Sequence, residues 1–244
     1  MANKNQIYGL RAVLEAIQAN QPINKVYLQK GLKGDLFKEL EGAIRKHKIS
    51  NSYVPVEKLN RLTEQNHQGV VAKISSIGFQ EFEPLMEQIL ERKTTPLFLL
   101  LDQISDVRNF GAIIRTAECC GVDAIILPKS GSAPLNDDAI KTSAGAAFNI
   151  PISKVDHLKD ALFYLQASGI KLIAATEKTD DSVFDIDFNQ PCAIIMGSED
   201  RGINPSILKM VDKAKLPLLG EIASLNVSVA CGVFLYEAVR QRQN

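Results

Sequence analysis

PLFLLLDQISDVRNFGAIIRTAECCGVDAIILP, residues 96–128, decides the fold. It opens on PLFLLLD (96–102), turns polar, passes through small and apolar residues from Asn109 to Cys120, and closes on DAIILP (123–128). Both end runs are continuously apolar rather than alternating, as in strands buried on both faces. Strand, helix and strand in that order make a parallel crossover unit.

The pattern repeats downstream. KLIAAT (171–176), CAIIMG (192–197) and AKLPLL (214–219) read as further buried strands. Helical spacing covers 109–120, 138–147, 155–168, 205–211 and 226–242. Residues 96–244 are therefore expected to form an α/β domain with a parallel sheet covered by helices. Upstream the elements are shorter. Leu10, Val13, Leu14 and Ile17 mark a helix over 9–19. KVYL (25–28) reads as a strand, Leu36, Phe37, Leu40 and Ile44 as a second helix, 49–54 as a strand, Val56, Leu59 and Leu62 as a short helix, and GVVAKI (69–74) as a strand. Residues 1–75 are expected to form a small α/β domain. Residues 76–95, with EFEP and TTP, read as a linker in which Leu85, Met86, Ile89 and Leu90 are spaced for a short helix.

Composition excludes more than it identifies. No apolar run approaches the ~18 residues of a membrane helix, and the first residues lack a signal-peptide core, so a cytoplasmic protein is expected. Cys119, Cys120, Cys192 and Cys231 form no CxxC pair and sit in apolar stretches, which predicts buried free thiols. His47, His67 and His157 offer no metal spacing. The net charge is zero, yet residues 1–75 carry 12 Lys or Arg against 6 Asp or Glu. That basic third either tracks phosphates or is a solvated surface.

Ligands of open α/β sheets bind beyond the carboxyl ends of the strands, and three loops there stand out. In 101–128, Asn109 fits a helix N-cap. Arg115 lies in an otherwise apolar helix, where it either snorkels outward or meets an anion. In CAIIMGSEDRGI (192–203), Gly197 and Gly202 allow close backbone approach and Glu199 sits at the tip, in either a ligand loop or an ordinary polar turn. In LPLLGEIASLNVSVACGVFLYEAVRQR (216–242), Ser224 fits an N-cap, and Asn226 and Ser228 are further polar residues at the start of an apolar helix. No GxGxxG follows the first strand of either half, and GxxxxGK[ST] and GxSxG are absent.

These loops resemble the SpoU/TrmH class of SPOUT RNA methyltransferases. NFGAIIRTAE fits that family's Asn-x-Gly-x-x-x-Arg-x-Ala motif, AIIMGSEDRGI its Gly-Ser-Glu-x-x-Gly motif, and SLNVSVA its third. IYGLRAVLEAI and HQGVVAKI (67–74) are similar to the small substrate-binding domain that precedes the catalytic domain in the 23S ribosomal RNA guanosine-2'-O-methyltransferases. Val107-Arg108, where many members have Pro-His, and Asp200-Arg201 after the glutamate depart from the pattern.

The resemblance implies a SPOUT-type sheet with a C-terminal trefoil knot, and a homodimer with its active site at the subunit interface. It implies catalytic roles for Asn109, Arg115, Glu199, Ser224 and Asn226. It also implies contacts to S-adenosyl-L-methionine from Thr176, Gly197, Leu216, Leu218 and Leu225, with no metal. The expected reaction is methyl transfer to a ribose 2'-hydroxyl. The expected partner is RNA, not DNA or a membrane. A guanosine of 23S rRNA is the first expectation. A tRNA enzyme and a non-catalytic RNA-binding protein of the same fold are the alternatives. A nicotinamide-dependent oxidoreductase is disfavoured by the missing glycine fingerprint.

Overall fold

The computed structural model describes residues 6–19, 21–74, 77–222 and 224–243. The chain divides into two compact units, one of residues 1–78 with 134–137, the other of 79–133 with 138–244.

The first unit runs β1 (Gln6–Tyr8), α1 (Leu10–Gln18), β2 (Ile23–Gln29), α2 (Asp35–Lys46), β3 (Asn51–Val54), α3 (Val56–Leu62) and β4 (Val70–Ile74). Its sheet has the order β1-β4-β2-β3, with β4 antiparallel to both neighbours and β3 parallel to β2. Strands alternate faces with period two. Val26 and Leu28 of β2 and Val70 and Ala72 of β4 point to one side, where they bury Val13, Leu14 and Ile17 of α1 with Phe37, Leu40 and Ile44 of α2. Each such side chain contributes roughly 1.5–3 kcal/mol on full burial.

The second unit opens with α4 (Phe82–Arg92), inside the expected linker. Leu85 and Met86 of this helix are buried in the unit's own core. Then follow β5 (Leu97–Asp102), α5 (Val107–Cys119), β6 (Ala124–Pro128), α6 (Asp137–Thr142), β7 (Ile152–Val155), α7 (Leu158–Ala167), β8 (Lys171–Ala175), β9 (Cys192–Gly197), α8 (Pro205–Leu208), β10 (Asp212–Ala214) and α9 (Val227–Arg242). The sheet is parallel throughout, in the order β10-β8-β9-β5-β6-β7. β5 and β9 lie at its centre and are buried at every position, as their unbroken apolar runs require.

Four expectations need correction. AKLPLL is not a strand: β10 ends at Ala214, and Leu218 and Leu219 are exposed. Pro217 has no N–H for a ladder. The helix read over 138–147 is α6 followed by a 3-10 turn at Ala146–Phe148. Gly145 between them sits in the left-handed region at φ 87°. The short strands β1 and β7 fell outside the expected elements, and α7 begins only at Leu158. Finally, Cys119 is exposed, while Cys120, Cys192 and Cys231 are buried free thiols.

Candidate active site

β5 and β9 are adjacent and parallel, with Asp102 in register with Gly197, so the loops following both strands leave the same edge of the sheet. Helix α5 starts just beyond β5. Its N-cap is Asp106, whose Oδ1 accepts from the Asn109 N–H at 2.8 Å. Asn109 is thus not the cap, and its side chain is released for other work. The reason is local: Val107 and Arg108 are already helical, which moves the free N–H groups back onto Asp106. Likewise α9 is capped by Asn226, whose Oδ1 accepts from the Ser228 N–H at 3.0 Å, and not by Ser224.

The Asn226 amide joins all three loops. Its Nδ2 donates to Asn109 Oδ1 at 3.0 Å and to Glu199 Oε1 at 2.6 Å. Its Oδ1 accepts from both the N–H and the hydroxyl of Ser228. Every bond fixes the amide the same way round, because an oxygen facing Glu199 would repel the carboxylate. Glu199 Oε1 also accepts from the Val227 N–H at 3.3 Å, placing an anion at the positive end of a helix. One side chain from each of β5–α5, β9–α8 and β10–α9 therefore meets at a single point.

The loop after β9 returns sharply on itself. A Cβ at Gly197 would lie 2.2 Å from Gly202 C and 2.3 Å from Ile203 N, both backbone atoms, so only glycine fits. Gly202 N–H donates to Ser198 O at 2.8 Å and closes the turn that carries Glu199. Sequence reasoning missed the residue that anchors this turn from beneath. Asp102, buried at the end of β5, accepts from the Asn204 N–H at 2.7 Å. Burial pushes the Asp102 carboxyl above its usual range, opposed by the Asn204 hydrogen bond. Its signal was a carboxylate ending a wholly apolar strand. Gly111 is the other close approach: a Cβ there would lie 2.6 Å from Thr142 Cβ and 2.8 Å from Ala139 O, so it lets α5 press against α6.

Arg115 stands apart from this cluster. It projects into solvent from α5, with no ion pair among the described residues. Ser224 is exposed, and none of the Asn226 hydrogen bonds among the described residues involves it.

The order β10-β8-β9 sets Thr176, just past β8, Gly197, the last residue of β9, and Leu216, past β10, at the carboxyl ends of three neighbouring strands. Thr176 N–H donates to Ala214 O at 3.0 Å, and its hydroxyl accepts from the Lys178 N–H at 3.3 Å. Leu218 and Leu225 are exposed on the loop between β10 and α9, with Leu219 and Ile222. Among the described residues, the backbone N–H groups of Leu216, Leu218 and Leu219 find no acceptor. An apolar loop with open amides fits a flat heteroaromatic group that has polar edges. No group of three or more metal-binding side chains occurs among the described residues, and no helix is long and apolar enough to cross a membrane.

Comparison with known proteins places this geometry. Residues 96–236 match the SpoU rRNA methylase family, and residues 6–80 match the substrate-binding domain of RNA 2'-O-ribose methyltransferases. The chain belongs to the SpoU rRNA methylase family. It is 32% identical over 238 residues to the putative TrmH family tRNA/rRNA methyltransferase YacO of Bacillus subtilis, covering 97% of this chain and 95% of that one. It is 35% identical over 246 residues to the 23S rRNA (guanosine-2'-O-)-methyltransferase RlmB of Pseudomonas putida, covering 100% and 99%. Among solved structures, the SpoU methyltransferase AviRb of Streptomyces viridochromogenes, crystallised with AdoMet, superposes with a TM-score of 0.62 at 24% identity, covering 98% of this chain and 90% of that one. That similarity shows a shared fold. The three loops joined through Asn226 lie within the residues that match the SpoU rRNA methylase family, and the small N-terminal unit matches the substrate-binding domain.

Proposed function

We propose that this SpoU protein transfers the methyl group of S-adenosylmethionine to a ribose 2'-hydroxyl, with a guanosine of 23S rRNA as its target. The observation that carries the reading is the Asn109–Asn226–Glu199 junction, which needs all three motifs intact and correctly folded together. Full-length similarity to RlmB supports the guanosine of 23S rRNA. A tRNA target is the second reading, favoured by the mixed tRNA/rRNA naming of YacO.

Bound S-adenosylmethionine supplies a methyl group already activated by the positive sulfonium. Thr176, Gly197, Leu216, Leu218 and Leu225 would hold it, through open backbone amides and leucine side chains, and no metal ligand is required. The chain's remaining task is to orient the sugar oxygen and accommodate its lost proton. Asn226 is locked by four hydrogen bonds, so Asn109 and Glu199 need no reorganisation when substrate arrives. The planar guanidinium of Arg115 is suited to binding an anion rather than to abstracting a proton. Its role is to bind a substrate phosphate and stabilise the oxyanion as it develops. Ser224 would complete the polar rim.

The protein acts as a homodimer. From Val227 to Leu235 α9 is apolar but for Ser228, the pattern of a helix that packs on more than one side. One side packs on α5 and β9. The other exposes Val229, Val233 and Tyr236 next to Phe184. A second copy would cover that face and bring side chains such as Arg115 to a shared site. A C-terminal trefoil knot and a cytoplasmic setting complete the reading.

The test is to map 2'-O-methyl groups in RNA from cells with and without the gene. One site lost from 23S rRNA supports the proposal. Loss from tRNA selects the second reading, and no loss from any RNA refutes both.

A further inference from the structure

The first unit contains a cleft that the methyl-transfer site does not use. It lies between the last turn of α3, the loop over residues 63–69 and the end of β2. Gln29, Asn60, Gln65, Asn66 and Gln68 line it, with His67 at its base. Glu64 is the single charged residue of the lining. An anion such as a phosphate meets no cation there and one carboxylate, so the cleft is not built for a backbone. Five side-chain amides, each with a donor and an acceptor side by side, match the edge of a nucleobase instead.

His67 sets the polarity of the cleft. It is buried, and its Nδ1 accepts from the Gly69 N–H at 3.0 Å. The ring proton therefore sits on Nε2, which donates to Asn60 Oδ1 at 2.8 Å. With its oxygen held, the Asn60 amide presents its Nδ2 donors outward. The adjoining turn is conformationally costly: Gln68 adopts a left-handed φ of 48° and is followed by Gly69 at φ 79°. Among the described residues, the side-chain amides of Gln29, Gln65, Asn66 and Gln68 make no hydrogen bond to protein. Strain and open amides are thus concentrated on one short loop.

The same sheet face continues toward a phosphate path. Lys25, Tyr27 and Gln29 share one side of β2 by alternation, opposite the side that packs on α1 and α2. Lys25 Nζ lies 5.5 Å from the Tyr27 ring centroid. Lys73 of β4 lies opposite Lys25 in the antiparallel register of β2 and β4. A lysine pair beside an aromatic ring is the chemistry that follows a single strand.

We propose that this cleft reads one unpaired RNA base, adenine by preference, while Lys25 and Lys73 hold the adjacent phosphates. Adenine is favoured because an amide can bond both its N6 and N7. The reading rests on the first unit being the RNA-binding part of a SpoU enzyme, and it adds which residues select the RNA.

The test uses the full chain, fluorescent single-stranded 12-mers of A, U and C, and anisotropy at several salt concentrations, without methyl donor. Wild type is expected to prefer oligo-A over oligo-U by about tenfold or more. Gln65→Ala with Asn66→Ala should remove that preference and leave the salt dependence unchanged, since neither residue is charged. Lys25→Gln should weaken all three oligomers alike and lower the slope of log K against log salt by about 0.7. Equal wild-type affinity for the three oligomers, or a double variant that keeps its adenine preference, overturns the proposal. Calorimetry with S-adenosylmethionine separates the two claims: retained donor binding with no base preference removes only the cleft, whereas lost donor binding removes the enzyme reading.

Discussion

Asn226→Asp is the most informative single substitution at the junction. The aspartate keeps the helix cap, because a carboxylate oxygen can still accept from the Ser228 N–H, and a charge at a helix N-terminus contributes about 0.3–1 kcal/mol. It removes both donors, however, the one 2.6 Å from Glu199 and the one 3.0 Å from Asn109. It also sets two carboxylates against each other. At about 4 Å their repulsion is roughly 1 kcal/mol in water and 4 kcal/mol at an effective dielectric of 20, and this exposed site lies nearer the lower figure. The net cost to folding is about 1 kcal/mol, or a melting point lower by about 2–4 °C. The cost to catalysis should be larger, because separating the loops by about 1 Å misplaces the reacting groups and lowers the rate about 100-fold. Asn226→Ala makes the complementary change: it loses the cap, about 1 kcal/mol, without adding repulsion. Single-turnover methyl transfer and thermal melts on both variants separate cap from junction. A wild-type rate for Asn226→Asp would refute the view that the junction organises the site.

Four further outcomes are expected. Arg115→Ala should leave the melting point nearly unchanged, since the side chain is exposed, while single-turnover methyl transfer falls about 100-fold or more; a near-normal rate removes Arg115 from the mechanism. Gly197→Ala must displace the Gly202–Ile203 backbone, so calorimetry should show donor binding lost; unchanged affinity would contradict the close fit. Val233→Glu puts a charge in the exposed apolar face of α9 and should yield monomers by light scattering, whereas a monomeric wild type would remove the dimer. Burial drives the Lys154 ammonium, 4.0 Å from the Phe79 ring, down to about 8. This folded value lies below the ordinary 10.5, so between about pH 8 and 10.5 the unfolded chain binds more protons and stability rises with pH. Denaturant melts of Lys154→Met should lose that rise and show higher stability at pH 7.

What could be read from the sequence followed from how strongly each segment constrains its chain. β5 and β9 are buried on both faces, so LFLLLD and CAIIMG have no other reading as short apolar runs. AKLPLL is also mostly apolar, but Leu218 and Leu219 are exposed on a loop, and hydrophobicity alone cannot separate a core strand from an apolar surface loop. Pro217 was the available signal. β1 and β7 are three and four residues long, too short for a period to register. The sequence offered Asn109 and Ser224 as helix caps, but Asp106 and Asn226 cap the helices, which leaves Asn109 to meet Asn226 across 117 residues of chain. A contact at that separation is set by the sheet order, which no local pattern records. Asp102 was visible only as a strand end, because its partner, the Asn204 N–H, is backbone.

The central claim is that the loops after β8, β9 and β10 hold a methyl donor beside the Asn226 junction. Titration calorimetry of the purified chain with S-adenosylmethionine tests it directly. Saturable binding, weakened by Gly197→Ala and largely kept by Arg115→Ala, is the predicted result. Absence of any binding by the wild-type protein would contradict the account.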